Sequence, residues 1–438
     1  MIGLLLAPLK SGLADDEVVI DIIGGIEGAT PIAIVPFAYE GGDEGAEVDA
    51  EDREGAAADV DIAAIIRSNL GRTGRFDLLT EEQLLAHPAR FADVDFATWR
   101  AQGIDHLVVG AVRPSEPGRY EVRFELLDVF RGERTQGRRL QVAEQNLRSA
   151  AHVISDRIYH EITGRAGVFN SRIAYVAVEE LGEGEGRRHR LVVADADGHR
   201  GQTILTSREP ILSPAWSPER DRLAYVSFEG RRSQIFVQDL GSGTRQRVAD
   251  FRGINSAPAW SPDGDRLAVT LSRDGAANIY VIELASGEVR ALTNHWAIDT
   301  EATWAPNGEH LYFTSDRGGR PQIYRINSDG SNLQRVTHEG RYNARPSLSP
   351  DGQKLAMVHQ HDGQYYIAVK DLETGSVRRV SEGPADESPS FAPNGDLLIH
   401  TAGGLEGTQL RTASLLGNAS VPLEPTEEPG IRVREPAW

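Results

Sequence analysis

Ala215-Trp216-Ser217-Pro218 recurs as Ala259-Trp260-Ser261-Pro262 and as Thr303-Trp304-Ala305-Pro306. Weaker copies follow at Ser347-Leu348-Ser349-Pro350 and Ser390-Phe391-Ala392-Pro393. The large apolar residue stands at 216, 260, 304, 348 and 391, in steps of 44, 44, 44 and 43. A period of about 44 residues with several short strands per unit is the signature of a propeller blade. The third unit shows the internal order. An inner strand at 257–261 is followed by a Pro262-Asp263-Gly264 turn, then strands at 267–271, 278–284 and 289–292. Proline fixes φ and glycine supplies a positive φ in such turns. One unit is split: 172–178 and 191–194 read as second and third strands with no AWSP before them. Glu435-Pro436-Ala437-Trp438, at the other end of the chain, supplies the missing strand. Six blades follow, the last strand completing the first blade, so that no long edge is left free. The repeat tryptophans are then expected to pack between neighbouring blades.

Residues upstream of the repeats read differently. Residues 31–37 and 105–112 are apolar and β-rich, and 120–130 alternates with Val122, Phe124 and Leu126 on one face. Ile62, Ile65, Ile66 and Leu70 have helical spacing, as do Leu147, Ala151, Ile154, Ile158 and Ile162. The expected fold class is an α/β N-terminal domain followed by an all-β six-bladed propeller, closed by a C-terminal strand. The expected divisions are 1–14, an incomplete signal peptide; 15–29, a partner-binding strand; 30–168, the α/β domain; and 169–438, the propeller. Residues 2–9 are apolar and small residues precede Asp15, but the basic n-region of a signal peptide is missing.

The chain has 438 residues and a formal charge of −19. That acidity argues against tracking a phosphate backbone and against anionic membrane surfaces. The absence of cysteine excludes disulfides and thiol nucleophiles. Residues 1–168 carry 17 basic and 29 acidic side chains, a net of −12, and the remaining 270 carry −7. Part of the excess is the 41–55 loop, which reads as solvated.

Signals for catalysis are weak. His160-Glu161 lacks the second histidine of HExxH, and no G-x-S-x-G occurs. Asp195-Ala196-Asp197-Gly198 begins like a calcium loop but occupies a hairpin-turn position of the repeat. The informative polar residues precede the inner strands: Asn255, Ser256 and Ala257; Asp299, Thr300 and Glu301; Asn343 and Arg345; Asp386 and Glu387. In a propeller these gather around one mouth of the channel, which suits protein or peptide binding. Alternative readings are a scaffold binding another protein, a peptide or calcium through Asp299, Glu301, Asp386 and Glu387, and a propeller hydrolase.

The chain resembles the TolB family of periplasmic propeller proteins of the Tol–Pal system. The resemblance runs from about residue 17 to 438. It rests on residues 17–22 followed by 31–37, on 103–110 and 171–176, and on the repeats at 214–218 and 314–324. It implies a non-enzymatic, cofactor-free, periplasmic adaptor, a monomer within its complex, that supports outer-membrane integrity and constriction at division. It implies binding of the Pal lipoprotein at the propeller mouth, with Ala257, Thr300 and Glu301 where the family makes that contact. Asn255, Ser256, Asn343, Arg345, Asp386 and Glu387 extend that site by blade position. The segment Glu17, Val18, Val19, Ile20, Asp21 and Ile22 is implied to engage TolA, in competition with docking on its own protein. Colicins are implied as further ligands. Nucleic-acid binding and direct membrane insertion are not expected. Ile254 is apolar where a polar or basic mouth residue is expected.

Overall fold

The computed structural model describes residues 28–41, 60–182, 184–404, 407–417, 419–423 and 430–438. The expected signal peptide, residues 17–22 and most of the acidic loop lie outside the described residues.

The N-terminal sheet runs in the order β3 (Phe76–Leu78), β1 (Thr30–Ile34), β4 (His106–Glu116), β5 (Arg119–Asp128), β6 (Glu133–Ala143). The short β2 (Ala38–Tyr39) also pairs with β4. β1 is parallel to β3 and β4, whereas β4, β5 and β6 form an antiparallel meander. Alternation sorts the side chains. Ile32, Ile34, Val108, Val122, Phe124 and Leu126 face helices α1 (Ile62–Gly71) and α3 (Leu147–Thr163). Ala33, Val35, Leu107, Val109 and Leu127 face Trp99 of α2 (Phe96–Ala101) on the other side. Both faces are therefore covered, as a sheet with parallel strands requires. Asp61 caps α1 by accepting from the Ala64 N–H at 2.9 Å, and Gly164, at φ +71°, ends α3.

Six four-stranded antiparallel sheets follow. In blade 3 the strands are Asn255–Trp260, Arg266–Leu271, Asn278–Glu283 and Val289–Ala291. Blade 1 takes its inner strand, Ile431–Ala437, from the C-terminus; it pairs with Arg172–Glu180, with Val433 opposite Ala177. Tryptophans lock the seams. Trp260 Nε1 donates to the Ala215 carbonyl at 3.0 Å, Trp304 Nε1 to that of Ala259 at 3.2 Å, and Trp216 Nε1 to that of Ala437 at 3.2 Å. Each acceptor is the residue preceding the previous blade's own tryptophan. Arg222 and Arg266 lie over Trp260 and Trp304 at 4.7 and 4.8 Å. Trp438 Nε1 donates to Ser171 Oγ at 2.7 Å.

The N-terminal domain docks on one end of the propeller, against turns of blades 1 and 6. Tyr159 and Arg165 Nε both donate to Asp396 Oδ2, at 2.9 and 2.7 Å. Arg72 donates to the Ala196 carbonyl at 2.8 Å, and Arg148 pairs with Asp197. Asp396 follows the inner strand of blade 6, and Ala196 and Asp197 follow the third strand of blade 1. In an antiparallel four-stranded blade these turns share one end. The loops leading into the inner strands lie at the other end, away from these contacts of the described residues. Among the described residues no helix is long and apolar enough to cross a membrane.

Candidate partner-binding site

Each inner strand is broken once by a bulge, where its register to the second strand shifts. The bulge residues are Ser213, Ala257, Glu301, Arg345, Ser388 and Glu435, all with φ between +49° and +56°. Left-handed non-glycine backbone is costly, about 1–3 kcal/mol each, and persists where the surroundings over-determine it. Its repetition in all six blades marks a designed feature of the ring. These six residues, with Pro214, Pro258, Ala302, Pro346, Pro389 and Pro436, line a central cavity of about 150 Å³. Glu301 and Arg345 are expected in loops before the strands, and Ala257 at the boundary of loop and strand. They stand inside the strands instead, because the bulge continues the pairing past them.

The cavity carries a polarised network. Glu301 accepts from the Arg345 backbone N–H at 3.2 Å, from Arg345 Nε at 3.0 Å and from Thr314 Oγ1 at 3.1 Å. Arg345 also donates to Ser388 Oγ, and Glu435 accepts from the Ser213 N–H. Burial works to lower the Arg345 pKa, but Glu301, Glu435 and Glu387 outweigh it and hold the guanidinium charged. Orphaned bulge N–H groups find hydroxyls on the preceding blade. The Glu301 N–H donates to Thr270 at 3.3 Å, and the Glu435 N–H donates to Thr401 at 3.1 Å. The mouth residues are thus fixed before any partner arrives.

The other expected residues divide into two groups. Ser256, Thr300 and Glu387 are half-buried at the strand starts, and Thr300 shares a 3.2 Å hydroxyl contact with Thr270. Asn255, Asn343 and Asp386 are buried. Asn255 Nδ2 donates to the Phe251 carbonyl at 2.7 Å while its Oδ1 accepts from the Phe251 N–H at 2.9 Å. Asn343 Nδ2 bonds Gln322 Oε1 at 2.9 Å and the Glu339 carbonyl at 2.7 Å. Asp386 accepts from the Gly383 N–H at 2.8 Å. These three shape the loops that reach the mouth. Asp299 is buried against Ser315 and Arg317 at 2.6 Å each, so the four carboxylates weighed for calcium do not converge. Among the described residues, only His152, Asp195 and Asp197 bring three such ligand groups together, and Arg72, Arg148 and Arg200 already surround them.

The open end also presents Trp296, 80 % exposed, with Ile298 at 52 % and Ile254 at 48 %. Sequence reading missed Trp296. The available signal was that this tryptophan lies in a loop at no repeat position. An exposed aromatic beside apolar neighbours and fixed polar groups is the composition of a protein-binding hot spot.

Fold and mouth together define a closed six-bladed propeller scaffold with an N-terminal mixed-sheet domain and an open, preorganised end. The TolB beta propeller domain family matches residues 159–438, and the TolB amino-terminal domain family matches 18–135. A Tol-Pal system protein TolB from Alkalilimnicola ehrlichii is 55% identical over 438 residues, 100% of this chain and 98% of the relative. One from Thioalkalivibrio sulfidiphilus is 54% identical, covering 96% of this chain and 93% of the relative. The crystal structure of TolB from Acinetobacter baumannii superposes with a TM-score of 0.82 at 38% identity, covering 94% of this chain and 97% of that one. The chain belongs to the TolB family of the Tol–Pal system.

Proposed function

We propose that this chain is a non-enzymatic periplasmic adaptor of the Tol–Pal system that receives the Pal lipoprotein on the open end of the propeller. The observation that carries the reading is the mouth itself. Glu301 and Arg345 are held in place by their own strands, Trp296, Ile298 and Ile254 stand exposed in loops at the same end, and the described N-terminal domain contacts the opposite end. Ser256, Ala257, Thr300, Glu301, Arg345 and Glu387 form the contact set, and Asn255, Asn343 and Asp386 hold its loops. Residues 17–22 engage TolA by strand pairing, which couples the two ends of the envelope complex in outer-membrane integrity and constriction. In this reading residues 30–168 and 169–438 are the two folded domains. Support comes from family membership and from the disposition of the mouth. Capture of the intact chain by the soluble domain of Pal tests it. Wild type should be retained and Glu301→Arg should be retained weakly; no capture of wild type would sink the reading.

A further inference from the structure

A second recess opens on the same end, displaced from the channel. It lies at the seam between blades 1 and 2 and has a volume of about 610 Å³. Leu212, Pro210 and Phe228 form an apolar floor, and Arg187, Arg208 and Arg434 stand around it. Their partners are unequal. Arg187 Nε is matched to Glu180 at 2.8 Å. Arg208 donates to the Glu185 backbone carbonyl at 3.0 Å, which satisfies a hydrogen bond but not the charge. Arg434, on the closing strand, has a buried Nε with no hydrogen-bond partner and pairs with no carboxylate among the described residues. Buried His189 backs the recess, and its Nδ1 likewise has no partner. Burial first, and then the charges of Arg434 and Arg187, hold the His189 pKa down against Glu209 and Glu180.

Among the described residues, the three guanidinium groups of the lining outnumber Glu180 in the lining and Glu209 beside His189, which leaves this recess cationic in a chain whose formal charge is −19. Guanidinium forks match oxyanions in two-point geometry, and an unpaired fork over an apolar floor is the arrangement that selects them. Phe228 and Leu212 add room for one apolar side chain beside the anion. We propose that the seam between blades 1 and 2 is a binding pocket for a carboxylate carried next to an apolar side chain, as at a peptide C-terminus. The pocket does not depend on which protein the channel mouth receives. Arg434 and Arg208 hold the carboxylate, and the floor takes the side chain. Because Arg434 belongs to the C-terminal strand, the pocket exists only when the ring is closed.

The test uses the full chain and N-acetylphenylalanine, with its neutral amide as control and inorganic phosphate as the bare-anion arm. The His189 ring resonance, assigned by its loss in His189→Gln, is followed by NMR. The acid should shift that resonance saturably and raise the His189 pKa, and the amide should do neither. Arg434→Gln should weaken binding by at least about tenfold, the loss expected for a charge-assisted hydrogen bond. Arg208→Gln serves as the second variant should the closing strand not tolerate the first. Absence of a saturable shift at tens of millimolar, equal binding of the amide, or phosphate binding as tightly as the acid would each overturn the assignment.

Discussion

Glu301 is the residue at which order in the channel and affinity for a partner can be separated. Its carboxylate serves three donors: the Arg345 N–H, Arg345 Nε and the Thr314 hydroxyl. Glu301→Gln keeps a carbonyl oxygen for the N–H and the hydroxyl but removes the charge facing the guanidinium. A charge-assisted bond is worth about 1.5–3 kcal/mol. The two side chains are 35% and 27% exposed, so solvent screening brings the loss toward about 1 kcal/mol. At about 2–4 °C per kcal/mol for a domain of this size, the melting temperature should fall by about 2–4 °C. Glu301→Arg goes further, because it sets a second guanidinium beside Arg345. Like charges about 4 Å apart repel by about 4 kcal/mol at an effective dielectric of about 20, although an arginine can swing into the open mouth and escape much of that. Differential scanning calorimetry reads the stability change and titration with the soluble domain of Pal reads the binding. The glutamine variant should lose a few degrees and bind moderately less well, and the arginine variant should fold but bind poorly. A glutamine variant melting within about 1 °C of wild type would mean that the Glu301–Arg345 pair does not order the channel, and an arginine variant binding like wild type would remove Glu301 from the contact.

Trp260→Phe removes the hydrogen bond to the Ala215 carbonyl and weakens the stack under Arg222, so thermal denaturation should show a loss of about 1–2 kcal/mol. Asp396→Ala strips Tyr159 and Arg165 of their shared acceptor; calorimetry should then resolve two transitions where wild type shows one, with about 2–3 kcal/mol lost at the joint. His152 faces Asp195, Asp197, Arg72 and Arg148, and burial brings its pKa down to about 4. An unfolded histidine takes up its proton near pH 6.5, so stability is full above that pH and falls as the pH drops toward about 4. Asp156, raised by burial to about 6, gives the opposite slope below that pH, so the quantity to measure is the difference between wild type and His152→Gln in urea midpoints across pH 4–7. That difference should grow with pH; a flat difference would contradict the assignment.

The ring was legible because its signal is periodic. Trp216, Trp260 and Trp304 recur at a fixed step, and Trp438 closes the sequence with the same motif. The observed seam bonds are the physical reason for that recurrence: Trp216, Trp260 and Trp304 each donate to a carbonyl on the previous blade, and Trp438 donates to the Ser171 hydroxyl. Helices α1 and α3 were legible through Ile62, Ile65, Ile66 and Leu70 and through Leu147 to Ile158, whose spacing is their burial pattern, whereas the short α2 carries no such period. The bulge was not. Its six positions hold Ser, Ala, Glu, Arg, Ser and Glu, none of which advertises a positive φ as glycine does. Asn255, Asn343 and Asp386 share polarity with true surface residues, and only three-dimensional contacts reveal that their side chains turn inward to bind their own loops. Asp195 and Asp197 do form the expected turn, but a turn can also be a docking point, and Arg148, which pairs with Asp197, and Arg72, which bonds the Ala196 carbonyl, come from more than 40 residues away.

The proposed partner site lies on the open end of the propeller, away from the docked turns of blades 1 and 6. Hydrogen–deuterium exchange of the intact chain with and without the soluble domain of Pal maps that site. Protection should appear at 253–257, 296–301 and 342–345, with no change at the docked turns 195–199 and 394–396. Protection confined to the docked turns, or to the outer strands of the blades, would place the partner elsewhere.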